Sequence, residues 1–141
     1  MTARRPKIYI DENLPHQIGS ALNRAFRSAI FSSYKEERLT RVLDLPLFDV
    51  LRDRAFDVIV TRDLQQTISD SERRGLRDAR LHWVGVREPE RASGLGFYSA
   101  ILSAVAATVP IVLSSIDVPP RAYHVICEDL RWETPIRSEP I

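Results

Sequence analysis

The stretch Asp57-Val-Ile-Val-Thr-Arg-Asp63 decides the fold, because it joins a short apolar strand to charged residues at its end. Val58, Ile59 and Val60 are β-branched, and both faces of an extended chain would be apolar here. Such runs are typical of parallel sheets that helices cover on both sides. We therefore predict a buried strand that ends beside an acidic side chain.

Strand and helix patterns alternate on both sides of this stretch. Further strands are predicted at residues 7–11, 28–33, 81–86 and 122–127. Four helices are predicted: one within residues 11–26, one that opens at residue 44, one over residues 69–79 and one over residues 96–114. Residues 34–43 are polar and favour no element. The order predicts one α/β domain, a three-layer α/β/α sandwich with a mainly parallel central sheet.

Three of the helix starts carry recognisable signals. Pro15 suits the first turn of the first helix. Asp44 has the position of an N-cap, with Pro46 just inside the helix. Ser69 and Glu72 have the spacing of a capping box.

Length and composition indicate a single domain. The chain has 141 residues, of which 44% are hydrophobic and 28% charged, which is too apolar for a disordered protein. We expect one domain over residues 1–141, with its core at about 7–127 and a tail at 128–141. Twenty basic against nineteen acidic residues give a net charge of +1, which favours no particular partner. A lone cysteine, Cys127, excludes a disulfide framework and a Cys-rich zinc site. The first apolar run is too short for a signal peptide, so we expect a cytoplasmic protein.

Residues 92–116 contain no charged side chain. The segment is long enough to span a bilayer, but Gly94, Gly96 and Pro110 interrupt it. We predict a helix that is buried in the domain rather than in a membrane. A second interpretation is that one face packs on another subunit, as in a homodimer.

Acidic side chains follow two predicted strands. Asp11 closes the first strand, Asp63 closes the strand of the opening stretch, and Asp44 stands at a helix start. Because function in parallel α/β sheets collects beyond the carboxyl ends of the strands, we expect the three acids to converge. Asp11 and Asp63 would face each other across a crevice, on strands separated by one neighbour. An acid after a strand is also a common turn former or helix cap, so each one alone is compatible with a structural role.

Converging carboxylates repel one another unless a cation lies between them. Oxygen ligands without nearby Cys or paired His favour Mg²⁺ or Mn²⁺. The sequence thus predicts a metal centre that helps water to attack a phosphodiester.

Two motifs carry a family resemblance. Asp11-Glu-Asn-Leu-Pro15 after a first strand, followed by Val58-Ile-Val-Thr-Arg-Asp63, resembles the PIN-like nuclease superfamily. Within it the chain looks most like small proteins with an Asp-Glu-Asn-Leu-Pro motif, which are related to the toxin ribonucleases of VapBC-type toxin–antitoxin pairs. Residues 72–79 and Gly94-Leu-Gly-Phe97 continue the likeness, which covers about residues 7–127.

The resemblance implies a metal-dependent endoribonuclease, the toxin of a toxin–antitoxin pair, with RNA as substrate. It also implies a cognate antitoxin and a homodimer. Carried over by position, Asp11, Asp44 and Asp63 are catalytic and bind Mg²⁺ or Mn²⁺. Glu12 is a further possible ligand, and Asn13 of the same motif is assigned to substrate binding.

The sequence departs from the family pattern after the second motif. Many relatives continue with another acid and an aromatic residue, whereas this chain reads Leu64-Gln65-Gln66. The fourth acid is left open between Asp70 and Asp49, the latter also competing with Asp44. A catalytically inactive PIN-like module that binds RNA or protein is therefore the alternative. A flavodoxin-like phosphoacceptor domain is disfavoured, because it needs a lysine at a late strand end and none follows Lys35.

Arginines provide candidate phosphate contacts. Arg73, Arg77 and Arg80 share one helix face, and we assign Arg73 and Arg77 to RNA binding, with a solvated helix face as the alternative. Arg62 lies next to Asp63 and is expected to contact a substrate phosphate or a carboxylate, with a role on the protein surface as the alternative.

Overall fold

The computed structural model describes residues 4–127 and 139–140 of the chain. Its strands β1 to β5 are Lys7–Ile10, Ile30–Ser33, Val58–Thr61, His82–Arg87 and Ala122–Ile126. Its helices α1 to α5 are Gln17–Ala25, Tyr34–Glu37, Asp44–Asp53, Asp70–Asp78 and Gly94–Ser114. A 3₁₀ helix, Leu64–Thr67, follows β3. The predicted tail lies outside the described residues, apart from 139–140.

The five strands form one parallel sheet in the order β2-β1-β3-β4-β5. Ile8 stands opposite Val58, and Val60 stands opposite Val84. The predicted parallel sheet is confirmed. The expectation of a strand between β1 and β3 is wrong, because β2 lies on the outer side of β1 and β3 pairs directly with β1.

Helices cover both faces of this sheet, which confirms the three-layer sandwich. Ile8 and Val58 belong to a buried cluster with the apolar sides of α1 and α5. Tyr9 and Ile59, which point the other way along the same strands, belong to a second cluster with α3 and α4. The β-branched run of β3 is buried on both faces for this reason.

The helix starts agree only in part with the sequence. Ser69 caps α4 by accepting the Glu72 amide, but only half of the predicted capping box forms, because the Ser69 amide donates to the Gln65 carbonyl at 3.0 Å. Helix α1 begins at Gln17, so Pro15 precedes the helix instead of lying in its first turn. The N-cap role predicted for Asp44 is wrong, because α3 begins at Asp44 itself and Leu43 is its N-cap.

The unassigned polar segment contains the short helix α2. Ser33 accepts the Glu36 amide, and the Glu36 carboxylate accepts the Ser33 amide, which makes a complete capping box. Arg38 ends the helix in the left-handed region, at φ 58°. A helix of four residues has no apolar periodicity, so only its cap distinguishes it in the sequence.

Helix α5 buries one stripe and leaves its other side open. The buried residues are Ala100, Ile101, Val105, Thr108, Val109 and Val112. By length and composition α5 could cross a membrane, a test that core helices of soluble proteins also pass. Only 28% of its most apolar 18-residue window is buried, so the expected burial holds for one side of the helix. The homodimer stays a prediction.

Candidate functional site

The carboxyl ends of β1 and β3 bring two acidic segments together. Asp11 follows β1 directly, and its amide continues the ladder by donating to the Val60 carbonyl at 2.9 Å. Its side chain is only 6% exposed and lies on the sheet face that α3 and α4 cover. Asp63 follows β3 by two residues and is half-buried.

A single hydroxyl group connects these two segments. The buried Thr61 Oγ1 donates to Asp11 Oδ2 at 2.7 Å and accepts the Asp63 amide at 3.0 Å. Asp63 in turn caps the 3₁₀ helix, since its Oδ1 accepts the Gln65 amide at 3.0 Å. Thr61, at the last position of β3, therefore fixes the relative position of the two predicted acids.

The surroundings of Asp11 shift the pKa of its side chain. Burial raises its pKa above the usual range, and the negative charges of Asp44 and Glu12 act in the same direction. Hydrogen bonds from Thr61 and from the Glu12 amide, the latter at 2.8 Å, partly offset this rise. Asp44, the first residue of α3, is thus near enough for its charge to act on Asp11. We use the name crevice for the region that Asp11, Asp44, Asp63 and Glu72 line.

Glu72 joins this crevice from α4. Its side chain stands within hydrogen-bonding reach of Asp44, and the charges of Asp44 and Asp63 both act on it. Its pKa is raised, chiefly by burial and then by the contact with Asp44. From the sequence, Glu72 is predicted to be a capping residue and part of the family-like segment 72–79, with no role in the site. The sequence did contain a signal for its site role: Glu72 is an acid in the first turn of α4, the helix that follows the Val58–Asp63 motif.

The two acids that the sequence offered as a fourth member lie elsewhere. Asp49 is exposed and pairs with Arg52 on the outer side of α3 at 3.4 Å. Asp70 is exposed in the first turn of α4. Glu72, two residues further along that helix, is the acid that contacts Asp44.

A buried glutamine holds Asp44 from the other side. Gln66 is fully buried, and its Nε2 donates to Asp44 Oδ1 at 2.9 Å. Its Oε1 accepts the Trp83 indole N–H at 3.1 Å. In the sequence this residue marked only a departure from the family pattern, because a single glutamine in a polar turn carries no recognisable signal.

Glu12 and Asn13 are both engaged by their own chain. Glu12 Oε2 accepts the Arg41 amide at 3.0 Å, in the loop before α3. Asn13 Nδ2 donates to Thr61 Oγ1 at 3.1 Å, and its Oδ1 accepts the Arg62 amide at 2.9 Å. Both residues fasten the first motif to its surroundings, and their ligand and substrate roles stay predictions.

Arg62 is held close to the end of the sheet. Its guanidinium donates to the Asn13 carbonyl at 3.0 Å, pairs with Glu88 and lies over the Phe97 ring. Its proposed contact with a substrate phosphate would have to compete with Glu88.

Arg73 and Arg77 lie on another side of α4. With Arg121 and Trp83 they line a pocket of about 100 Å³ beside the start of β5. Arg73 donates to the Thr67 carbonyl at 3.3 Å, which links this pocket to the 3₁₀ helix after Asp63. The structure therefore does not bring these arginines among the acids, and their predicted contact with RNA concerns a neighbouring surface.

Among residues 4–127 no cationic side chain pairs with the crevice acids. Within residues 4–127 the ion pairs are Arg4–Asp57, Arg52–Asp49, Arg52–Asp53, Arg54–Glu37 and Arg62–Glu88. None includes Asp11, Asp44, Asp63 or Glu72. Neutral donors, namely a hydroxyl, a side-chain amide and backbone amides, hold three of these carboxylates instead.

The donor set of the crevice consists of hard oxygen atoms, as Mg²⁺ and Mn²⁺ prefer. In the described part of the chain, no three His, Cys, Asp or Glu side chains are grouped to hold a metal ion as they stand. Asp44 and Glu72 nevertheless lie close to each other, and in the described part of the chain neither has a cationic partner, which suits a divalent cation. The residues fit such an ion in kind and charge, and binding would require their side chains to draw together.

Comparison of the chain with family models, with curated proteins and with solved structures found no match. The likeness to PIN-like nucleases therefore rests on the sequence motifs alone and stays a prediction.

Proposed function

We propose that this protein is a metal-dependent endoribonuclease of the PIN-like type and acts as the toxin of a toxin–antitoxin pair. The observation that supports the nuclease activity is the crevice of acids that have no cationic partner among residues 4–127, in which the Glu72 side chain lies within hydrogen-bonding reach of Asp44. The toxin role, the antitoxin partner and the cytoplasmic location rest on the resemblance alone.

Asp11, Asp44, Asp63 and Glu72 are the residues that would hold Mg²⁺ or Mn²⁺. The bound ion would activate water and neutralise charge on the scissile phosphate. The chain itself supplies orientation: Thr61 holds Asp11 through the 2.7 Å hydrogen bond. Glu12 lies beside these acids in sequence, and its carboxylate is available as a ligand only after release from the Arg41 amide.

The pocket on α4 supports a path for the RNA strand. Arg73, Arg77 and Arg121 line it, and none of the three has an acidic partner among residues 4–127. Arginine suits phosphate because its planar group donates two parallel hydrogen bonds. RNA that enters the crevice would continue across this surface, while Asn13 and Arg62 would contact it at the crevice mouth.

A cleavage assay tests the proposal. Single-stranded RNA is incubated with Mn²⁺ and the purified full chain, or with its Asp11→Asn, Asp44→Asn, Asp63→Asn and Glu72→Gln variants. We expect each variant to lose cleavage by at least about 10²-fold while it stays folded, because each removes one carboxylate that neutralises the ion. The matched control is Asp49→Asn on the outer side of α3, which should cleave like the parent. Parental cleavage by the four crevice variants would refute the assignment.

A catalytically inactive PIN-like module that binds RNA or protein is the second candidate. It is favoured by the absence of a ready-made group of metal ligands in the described residues and by the internal hydrogen bonds of the acids. Calorimetric titration with Mn²⁺ separates the two. A nuclease should bind the ion, and Asp44→Asn should abolish the heat of binding, whereas an inactive module should show none.

A further inference from the structure

We propose that Trp83 and Gln66 form a positioning pair that orients Asp44 for the divalent cation. Gln66 lies between Trp83 and Asp44 and is hydrogen-bonded to both. Trp83 Nε1 donates to Gln66 Oε1 at 3.1 Å, and Gln66 Nε2 donates to Asp44 Oδ1 at 2.9 Å. This inference rests on the proposed function, and it assigns a role to two residues that do not themselves touch the ion.

The direction of each hydrogen bond in the pair is fixed by chemistry. An indole N–H can only donate, so the oxygen of the Gln66 amide must face Trp83. The amide nitrogen then faces Asp44 and can only donate, so Asp44 Oδ1 must accept. Asp44 Oδ1 thereby accepts one hydrogen bond from a fixed direction, and Oδ2 is the oxygen left free of this bond. The pair thus selects one orientation of the carboxylate.

Burial makes this selection firm. Gln66 and Trp83 are 0% and 1% exposed, so no bulk water replaces either bond. The indole lies against Gly85, where a Cβ atom would come within 1.8 Å of Trp83 Cη2. Because Gly85 has no side chain, the Trp83 indole can occupy this space. A buried amide whose oxygen or nitrogen lost its partner would be costly, which disfavours rotation of Gln66.

Outer partners of this kind normally tune a metal site. Residues that hydrogen-bond to a ligating carboxylate change metal affinity by about 10–100-fold when they are removed. The pair also contributes to stability, so its positioning role must be measured on folded protein and apart from the stability change.

The test is calorimetric titration of Mn²⁺ into the full chain, each variant being kept below its own unfolding temperature. Gln66→Met keeps the side-chain length and removes both hydrogen bonds. Gln65→Met makes the same change at the exposed neighbour and is the matched control. Trp83→Phe removes only the indole donor and serves as a second variant.

For Gln66→Met we expect the Kd for Mn²⁺ to rise about 10–100-fold. Trp83→Phe should raise it less, because the bond to Asp44 remains, and Gln65→Met should leave it unchanged. If the parent binds Mn²⁺ and both Gln66→Met and Trp83→Phe bind it equally well, the positioning role is refuted and the proposed function stands. If the parent fails to bind Mn²⁺, the proposed function is refuted and the positioning role with it.

Discussion

Replacement of Thr61 by valine removes the hydroxyl that joins the two acidic segments and keeps the β-branched shape of the strand. In the folded chain this hydroxyl donates to the buried Asp11 and accepts the Asp63 amide. A hydrogen bond to a charged group contributes about 1.5–3 kcal/mol to stability. The Asp63 amide is only part-buried, so in the variant it can donate to water instead. We therefore expect Thr61→Val to lower the free energy of unfolding at neutral pH by about 2–3 kcal/mol.

The loss should depend on pH. Burial already holds the pKa of Asp11 above its usual range, and the Thr61 hydroxyl opposes that rise. A group whose pKa is raised by folding stabilises the fold most below its unfolded pKa, and this contribution is lost as pH rises through the folded pKa. Thr61→Val raises the folded pKa further. Its penalty should therefore be larger near pH 7 than near the ordinary carboxyl pKa of about 4.

Urea unfolding of the parent, Thr61→Val and Thr61→Ser at the two pH values measures both effects. The serine variant keeps the hydroxyl and should retain most of the stability. A valine variant as stable as the parent at pH 7, or one that loses the same amount at both pH values, would refute the role given to this hydroxyl.

Three further predictions follow from packing and charge. Gly85→Ala should cost about 1–3 kcal/mol or more in thermal unfolding, because the new Cβ meets the Trp83 ring. Gly96→Ala in α5 should be neutral or gain up to about 1 kcal/mol, because its new Cβ would make only an ordinary contact with the Ala92 Cβ at 3.8 Å. Tyr9→Phe should leave stability unchanged or raise it by about 1 kcal/mol in urea unfolding, because the buried hydroxyl has no partner among the described residues. Arg77→Gln should weaken RNA binding and reduce its salt dependence by roughly one counterion, as measured by fluorescence anisotropy at several salt concentrations; an unchanged slope would exclude a phosphate contact.

The sheet could be predicted because its strands carry a strong local pattern. In β3 three β-branched residues are apolar on both faces, and burial on both faces is what the structure shows. The order of the strands could not be predicted with the same ease. Strand β3 can pair directly with β1 only if β2 lies on the other side of β1, and no residue pattern within β1 or β3 encodes the position of β2.

The site was predicted where acids follow strands and missed where tertiary contacts give a residue a second role. Glu72 has the spacing of a capping partner, and its backbone amide does bind Ser69, yet its side chain turns to Asp44. Asp44 itself matches an N-cap signal but accepts from Gln66 instead. In both cases the local pattern was compatible with two structures, and packing of α3 against α4 selected one.

The kind of donor that holds each acid bears on what the crevice is for. An arginine partner would lower the pKa of a carboxylate and also cancel its charge toward any incoming cation. In this chain 18 of the 20 basic residues are arginine, so such partners were abundant. The acids of the crevice are instead held by Thr61, Gln66 and backbone amides, which fix geometry and leave the negative charge in place. Carboxylates without a cationic partner repel RNA phosphates, and they attract a divalent cation more strongly still, because it carries twice the charge of one phosphate. The crevice residues alone would therefore disfavour an RNA phosphate, and a divalent cation held by Asp11, Asp44, Asp63 and Glu72 would supply the attraction that they lack.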